Sequence, residues 1–138
     1  MCIRDSYKTA LAGLPTAVAE AVTARWGEPE ADPYVVDGMF RLGLHVFGHL
    51  VIGVQPARGY NIDPKDTYHA PDLVPPHHYL AFYLWLRGAF GAQAVIHLGK
   101  HGNLEWLPGK ATGLSAECLP QAVLGPCLLY TSPSPRDS

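Results

Sequence analysis

The sequence predicts a mixed α/β fold, a βαβ unit with parallel strands and flanking helices. Two observations predict it. A short β-branched run, His49 to Pro56, and a second apolar run, Gln93 to Gly99, have the length and composition of buried strands. Between them lies an apolar, helix-length segment from His77 to Gly91. Parallel strands need a crossover of this kind, and its expected hand is right. At 138 residues the chain is long enough for one domain with a modest core.

In chain order, "KTALAGLPTAVAEAVTAR" (8–25) reads as a helix with Leu11, Leu14, Val18 and Val22 on one stripe. Pro15 divides it into a short turn and a helix starting near Thr16. After the loop "WGEPEADP", a second helix is expected from Tyr34 to Val46, with Gly38 and Gly43 weakening it. The strand at 49–56 leads into Ala57 to Pro76, a polar stretch without period. It is far longer than the usual ~4–6 residues, the mark of a functional loop. Pro75 and Pro76 punctuate the start of the His77 helix, and Gly88 and Gly91 its end. That helix is apolar nearly all round and so expected to be buried. Its Tyr79, Phe82, Tyr83, Trp85 and Leu86 read as core.

Net charge is −2, which gives no electrostatic case for nucleic acid or an anionic membrane as partner. No apolar run reaches the ~20 residues of a membrane helix, and no leader pattern opens the chain, so a cytoplasmic location is expected. The two ends, "MCIRDS" and "CLLYTSPSPRDS", read as translations of the adapter used in transposase-based library preparation. Residues 1–6 and 127–138 are therefore expected to be adapter-derived, with 7–126 an internal fragment of a longer protein; natural disordered tails are the alternative. On that reading Cys118 stands alone, a buried apolar residue, and no disulfide framework is expected.

The densest chemistry lies in "HLGKHGNLEWLPGK", His97 to Lys110. As one helix it would set His97, His101 and Glu105 on a single face, a two-histidine, one-carboxylate set suited to divalent metals. Gly99 and Gly102 favour instead a strand end, a glycine turn and a short helix from Asn103 to Pro108. Lys100 repels a tightly bound cation and better suits an anionic substrate. The alternative is a pair of hydrogen-bonded loop histidines beside a solvated Glu105. Ligands in open α/β sheets bind beyond the carboxyl ends of strands, so 97–110 and the loop opening at Gln55 and Arg58 are expected at one edge. His45 and His49, flanking an apolar stripe, read as structural. His77 and His78 open a helix, where a neutral ring competent as ligand or base is expected, with capping or surface exposure as alternatives.

The segments "IGVQPARGYNIDPKDTYHAPDLVPPHHYLAFYLWLR" and "AVIHLGKHGNLEWLPGKATGLSAECLPQAVLGP" resemble the family of large subunits of aerobic cobaltochelatase and magnesium chelatase, from about Gly53 to Pro126. Lys100 and the Asn61–Pro64 loop resemble the cobalt branch. The resemblance implies a fragment of the tetrapyrrole- and metal-binding subunit of an enzyme. That enzyme inserts cobalt(II), as substrate, into a corrin ring, hydrogenobyrinic acid a,c-diamide, in aerobic cobalamin synthesis. It also implies as partners an AAA+ ATPase motor, which uses ATP and Mg, and its companion subunit. In keeping with this, no G-x-x-x-x-G-K-[ST] phosphate loop is present. By motif position, Glu105 and His101 become the candidates for proton removal and metal handling, with His97 completing the metal set. Arg58, Lys100, Lys110 and Gln55 become candidates for holding the substrate. Magnesium chelatase, a non-catalytic tetrapyrrole- or metal-binding module, and a metal-dependent hydrolase are the competing readings.

Overall fold

The computed structural model describes residues 1–57, 74–98, 125 and 128–132. The expected loop at 58–73, the helix from Asn103 and Cys118 lie outside these residues.

A π-helical turn, Ile3–Tyr7, runs into α1, Lys8–Ala12; α2 follows, Thr16–Trp26. Pro15 separates them as expected, because it has no amide for a continuous ladder. Val18, Val22 and Trp26 recur every four residues, and this face of α2 is buried. Leu14 joins them, while Leu11 packs at the margin. The α2 helix ends at Gly27, whose φ of 82° few other residues adopt. Trp26 donates through Nε1 to the carbonyl of Val74 at 2.7 Å, tying this helix to the segment that enters the next one.

The expected helix over 34–46 does not form. The chain instead makes two hairpins. β1 (Val35–Val36) pairs antiparallel with β2 (Met39–Phe40), and β3 (Leu44–Phe47) with β4 (Leu50–Gly53). The physical reason lies in the turns. Asp37 and Gly38 both take positive φ, 52° and 73°, the two-residue I′ turn that an Asp-Gly pair favours. Gly48, at φ 61°, occupies the first centre of the β3–β4 turn, where a II′ turn needs glycine.

α3, His77–Leu84, starts after Pro76 and continues through a π-helical turn at Trp85–Ala89. All eight of its residues are buried. It forms the middle of the core, with Tyr7, Leu14, Val18, Val22, Trp26 and Phe40 around it. The end of β4 runs close against it: a Cβ on Gly53 would meet the Phe82 ring at 3.2 Å.

β5, Ala94–Leu98, pairs in parallel with β6, Leu128–Ser132. The overall class is thus mixed α/β, but the expected crossover differs. β4 and β5 are not neighbours in one sheet; each belongs to its own two-stranded sheet among the described residues. β4 is claimed by β3 across a two-residue turn, a far shorter closure than the path to β5. Nor are the strands buried as expected: Ile52 is 60% exposed and Leu98 82%.

Candidate functional site

The polar side chains of the core fall into two groups, one at each end of α3. The first lies at its C-terminal end. Tyr79 and Tyr83 are four residues apart, so they stand on one face of the helix, their ring centroids 5.2 Å apart. Their rings are buried, but each carries a hydroxyl that must find a partner. Gln55, two residues beyond β4, supplies it: its amide Nε2 donates to the hydroxyls of both Tyr83 and Tyr79. On the other side, Tyr83 Oη lies 3.1 Å from His97 Nε2, on β5. Gln55, Tyr83 and His97 form a continuous polar chain.

Gln55 and His97 were both expected at a common edge, and the structure brings them together. The agent differs from the expected one. A buried tyrosine on the intervening helix joins them, rather than two adjacent parallel strands. Tyr83 and Tyr79 read as core from the sequence, and by burial they are. Their polar tips gave the only available signal, tyrosine at i and i+4 on an otherwise apolar helix. Glu105, His101, Lys100, Lys110 and Arg58 lie outside the described residues. Among the described residues no three of His, Cys, Asp or Glu converge as a metal site.

The second group surrounds the start of α3. His77 and His78 are neither capping nor exposed; they are 1% and 3% accessible. His77 Nε2 lies 2.7 Å from the carbonyl of Gly27, which can only accept, so Nε2 carries the proton. Its Nδ1 then accepts from the Tyr7 hydroxyl, also at 2.7 Å. Burial holds His77 below the ordinary histidine range, against the opposing pull of the Gly27 carbonyl and nearby carboxylates. The same burial, reinforced by the charge of Asp32, pushes the Tyr7 phenol well above its ordinary value.

Asp32 comes from the loop after α2. Its Oδ2 accepts from the backbone amide of His78 at 3.1 Å and pairs with His78 Nδ1 at 3.0 Å. Its Oδ1 accepts from the Tyr34 amide at 2.9 Å. Burial alone would raise this carboxyl, but the bonds from His78 and Tyr34 outweigh it and hold the group below its ordinary range. A carboxylate on the first turn of α3 also opposes the positive end of the helix dipole. Sequence reasoning missed Tyr7 and Asp32, since each sits in a segment with no period. The expected neutral ring at His77 is found, held in a closed structural network. His45, on β3, and His49, in the β3–β4 turn, are exposed.

Residues 2–130 match the CobN/Magnesium Chelatase family, and the chain belongs to that family. Within it, the chain is 62% identical over 122 residues to an aerobic cobaltochelatase subunit CobN from a Sinorhizobium species, covering 88% of this chain and 10% of the relative. The magnesium-chelatase large protein of Chlorobaculum parvum is 40% identical over 108 residues, covering 77% of this chain and 8% of the relative. Among solved structures, the catalytic subunit of cobaltochelatase from Mycobacterium tuberculosis superposes with a TM-score of 0.77 at 47% identity. That match covers 91% of this chain and 12% of the other. The chain spans about a tenth of the length of these relatives.

Proposed function

We propose that this chain is part of the large subunit of an aerobic cobaltochelatase. The whole enzyme would insert cobalt(II) into hydrogenobyrinic acid a,c-diamide in the cytoplasm, driven by an AAA+ ATPase partner and its companion subunit. The observation that carries the reading is the greater likeness to a cobaltochelatase subunit, 62%, than to a magnesium-chelatase subunit, 40%. Residues 1–6 and 127–138 retain their reading as adapter translation, which sequencing across the native locus tests.

Insertion requires the ring's pyrrolic protons to leave and the aquo-metal to shed water. A carboxylate or a neutral imidazole beside the macrocycle does the first. The same groups, in a set too loose to retain the ion, do the second. Glu105 and His101 take these roles, with His97 as a third metal-handling group. Lys100 and His101 follow His97 by three and four residues, so covalent reach alone keeps them within about 14 Å of it. Lys100, Lys110 and Arg58 are the cations for the substrate's negative groups, and Gln55 borders them.

The test is ATP-dependent metal insertion by the complete complex with Co²⁺ and Mg²⁺ offered separately. Turnover with Co²⁺, lost in Glu105→Gln and in His101→Ala, supports the reading. Turnover with Mg²⁺ into a porphyrin alone moves the chain to the magnesium branch. Unchanged turnover in both variants removes the two residues from the mechanism.

A further inference from the structure

Tyr83 spans two environments. Its ring is 2% exposed, packed against Tyr79 and edge-on to Phe82, while its hydroxyl lies between Gln55 and His97. An amide nitrogen donates and does not accept, so Tyr83 Oη accepts from Gln55. The phenolic proton is then directed at His97 Nε2, which accepts it. A neutral imidazole that accepts at Nε2 carries its own proton at Nδ1. The direction of one amide thus propagates through a hydroxyl to the tautomer of a histidine two elements away. Because the Tyr83 ring is fixed in the core, the hydroxyl has little freedom to follow any other geometry.

We propose that Tyr83 is a positioning residue for His97: it fixes the ring's orientation and tautomer and covers Nε2, with Gln55 setting the direction of the bond. This rests on the chelatase reading for its consequence. A cation reaches Nε2 only by displacing the Tyr83 hydroxyl, so His97 holds it less tightly than an uncovered imidazole would. That suits a residue that hands a metal on rather than one that stores it.

The test uses Tyr83→Phe in the intact subunit, which keeps the ring and removes only the hydroxyl. The first readout is the rate at which diethylpyrocarbonate modifies each histidine, followed by peptide mass. His97 is expected to react about two- to tenfold faster, the range for loss of one hydrogen bond. Gln55→Ala is expected to move it the same way by less. His77 and His78, buried in the core, must stay unreactive. The second readout is Co²⁺ binding to the isolated subunit, expected to tighten by a similar factor. The third is insertion by the complex, where kcat should fall while KM for the ring stays level. An unchanged His97 rate overturns the proposal, and so does a parallel rise at His77 and His78, which would mean general loosening. If the parent complex inserts no metal, the chelatase reading falls, while the modification rates still decide whether Tyr83 positions His97.

Discussion

Asp32→Ala isolates the energetic weight of the network at the start of α3. Asp32 is 4% exposed and accepts from two backbone amides, at 2.9 and 3.1 Å, besides pairing with His78 Nδ1 at 3.0 Å. A hydrogen bond to a charged group contributes about 1.5–3 kcal/mol net, and losing a buried acceptor strands its donors. The three bonds share one acceptor and do not add simply. Removal of one member of a buried pair costs about 3–5 kcal/mol, and we take that range. Since ~1.4 kcal/mol is a factor of ten, opening of α3 should become at least about a hundredfold more frequent. Hydrogen exchange measured by mass spectrometry on peptides covering 77–84 of the intact subunit reads that opening locally. Asp32→Asn keeps the acceptor for Tyr34 but turns an amide nitrogen toward the His78 backbone N–H, so an intermediate cost, about 1–2 kcal/mol, is expected. Exchange in Asp32→Ala within threefold of the parent would refute the reasoning. It would mean that the buried carboxylate contributes no more than an exposed surface pair.

Three further outcomes are expected. His77 is held below its ordinary value, so the unfolded chain binds more protons on acidification. The stability from a neutral His77 is complete above about pH 6.5 and drains as pH falls through the folded value. Asp32, also lowered, adds a second loss of the same sign below about pH 4. Exchange at α3 should therefore accelerate from pH 7 to 5 after correction for intrinsic rate, and His77→Gln should flatten that response. Tyr7→Phe removes the hydroxyl that His77 Nδ1 accepts from and should destabilise by about 1 kcal/mol, read by the same exchange. Gly38→Val forces a β-branched residue to φ 73°; a cost of about 1–2 kcal/mol is expected, appearing as increased proteolysis near residues 35–40. An equally resistant variant would show that the β1–β2 turn relaxes without penalty.

The helices were legible because each carries its own punctuation. Pro15 and the Val18–Val22 stripe bounded α2, and Pro75 with Pro76 announced α3. The hairpins were not, because apolar residues over 34–46 also satisfy a helical spacing. The information that decides between them is the pair of positive φ angles at Asp37 and Gly38, which the dipeptide encodes and periodicity ignores. The β4–α3–β5 crossover failed for a related reason. An apolar run says that a strand is possible but not which strand reaches it first, and β3 lies only two residues away. The same ambiguity hid exposure, since Leu50 and Ile52 are apolar yet more than half accessible. At the site, Gln55 and His97 were legible from their places at strand ends. Tyr83 was not, because a residue can fill a core with its ring and serve a polar neighbour with its tip.

Helix α3 has a clamp at one end and a contact with the site at the other. His77 and His78 fasten it to Tyr7, Gly27 and Asp32; Tyr83, six residues on, meets His97. Six residues of helix is about 9 Å of stiff rod. Any displacement of the N-terminal helices that carries the clamp with it is delivered along that rod with little attenuation. It arrives at the site through one hydroxyl, whose hydrogen bond is made or lost over a fraction of an ångström.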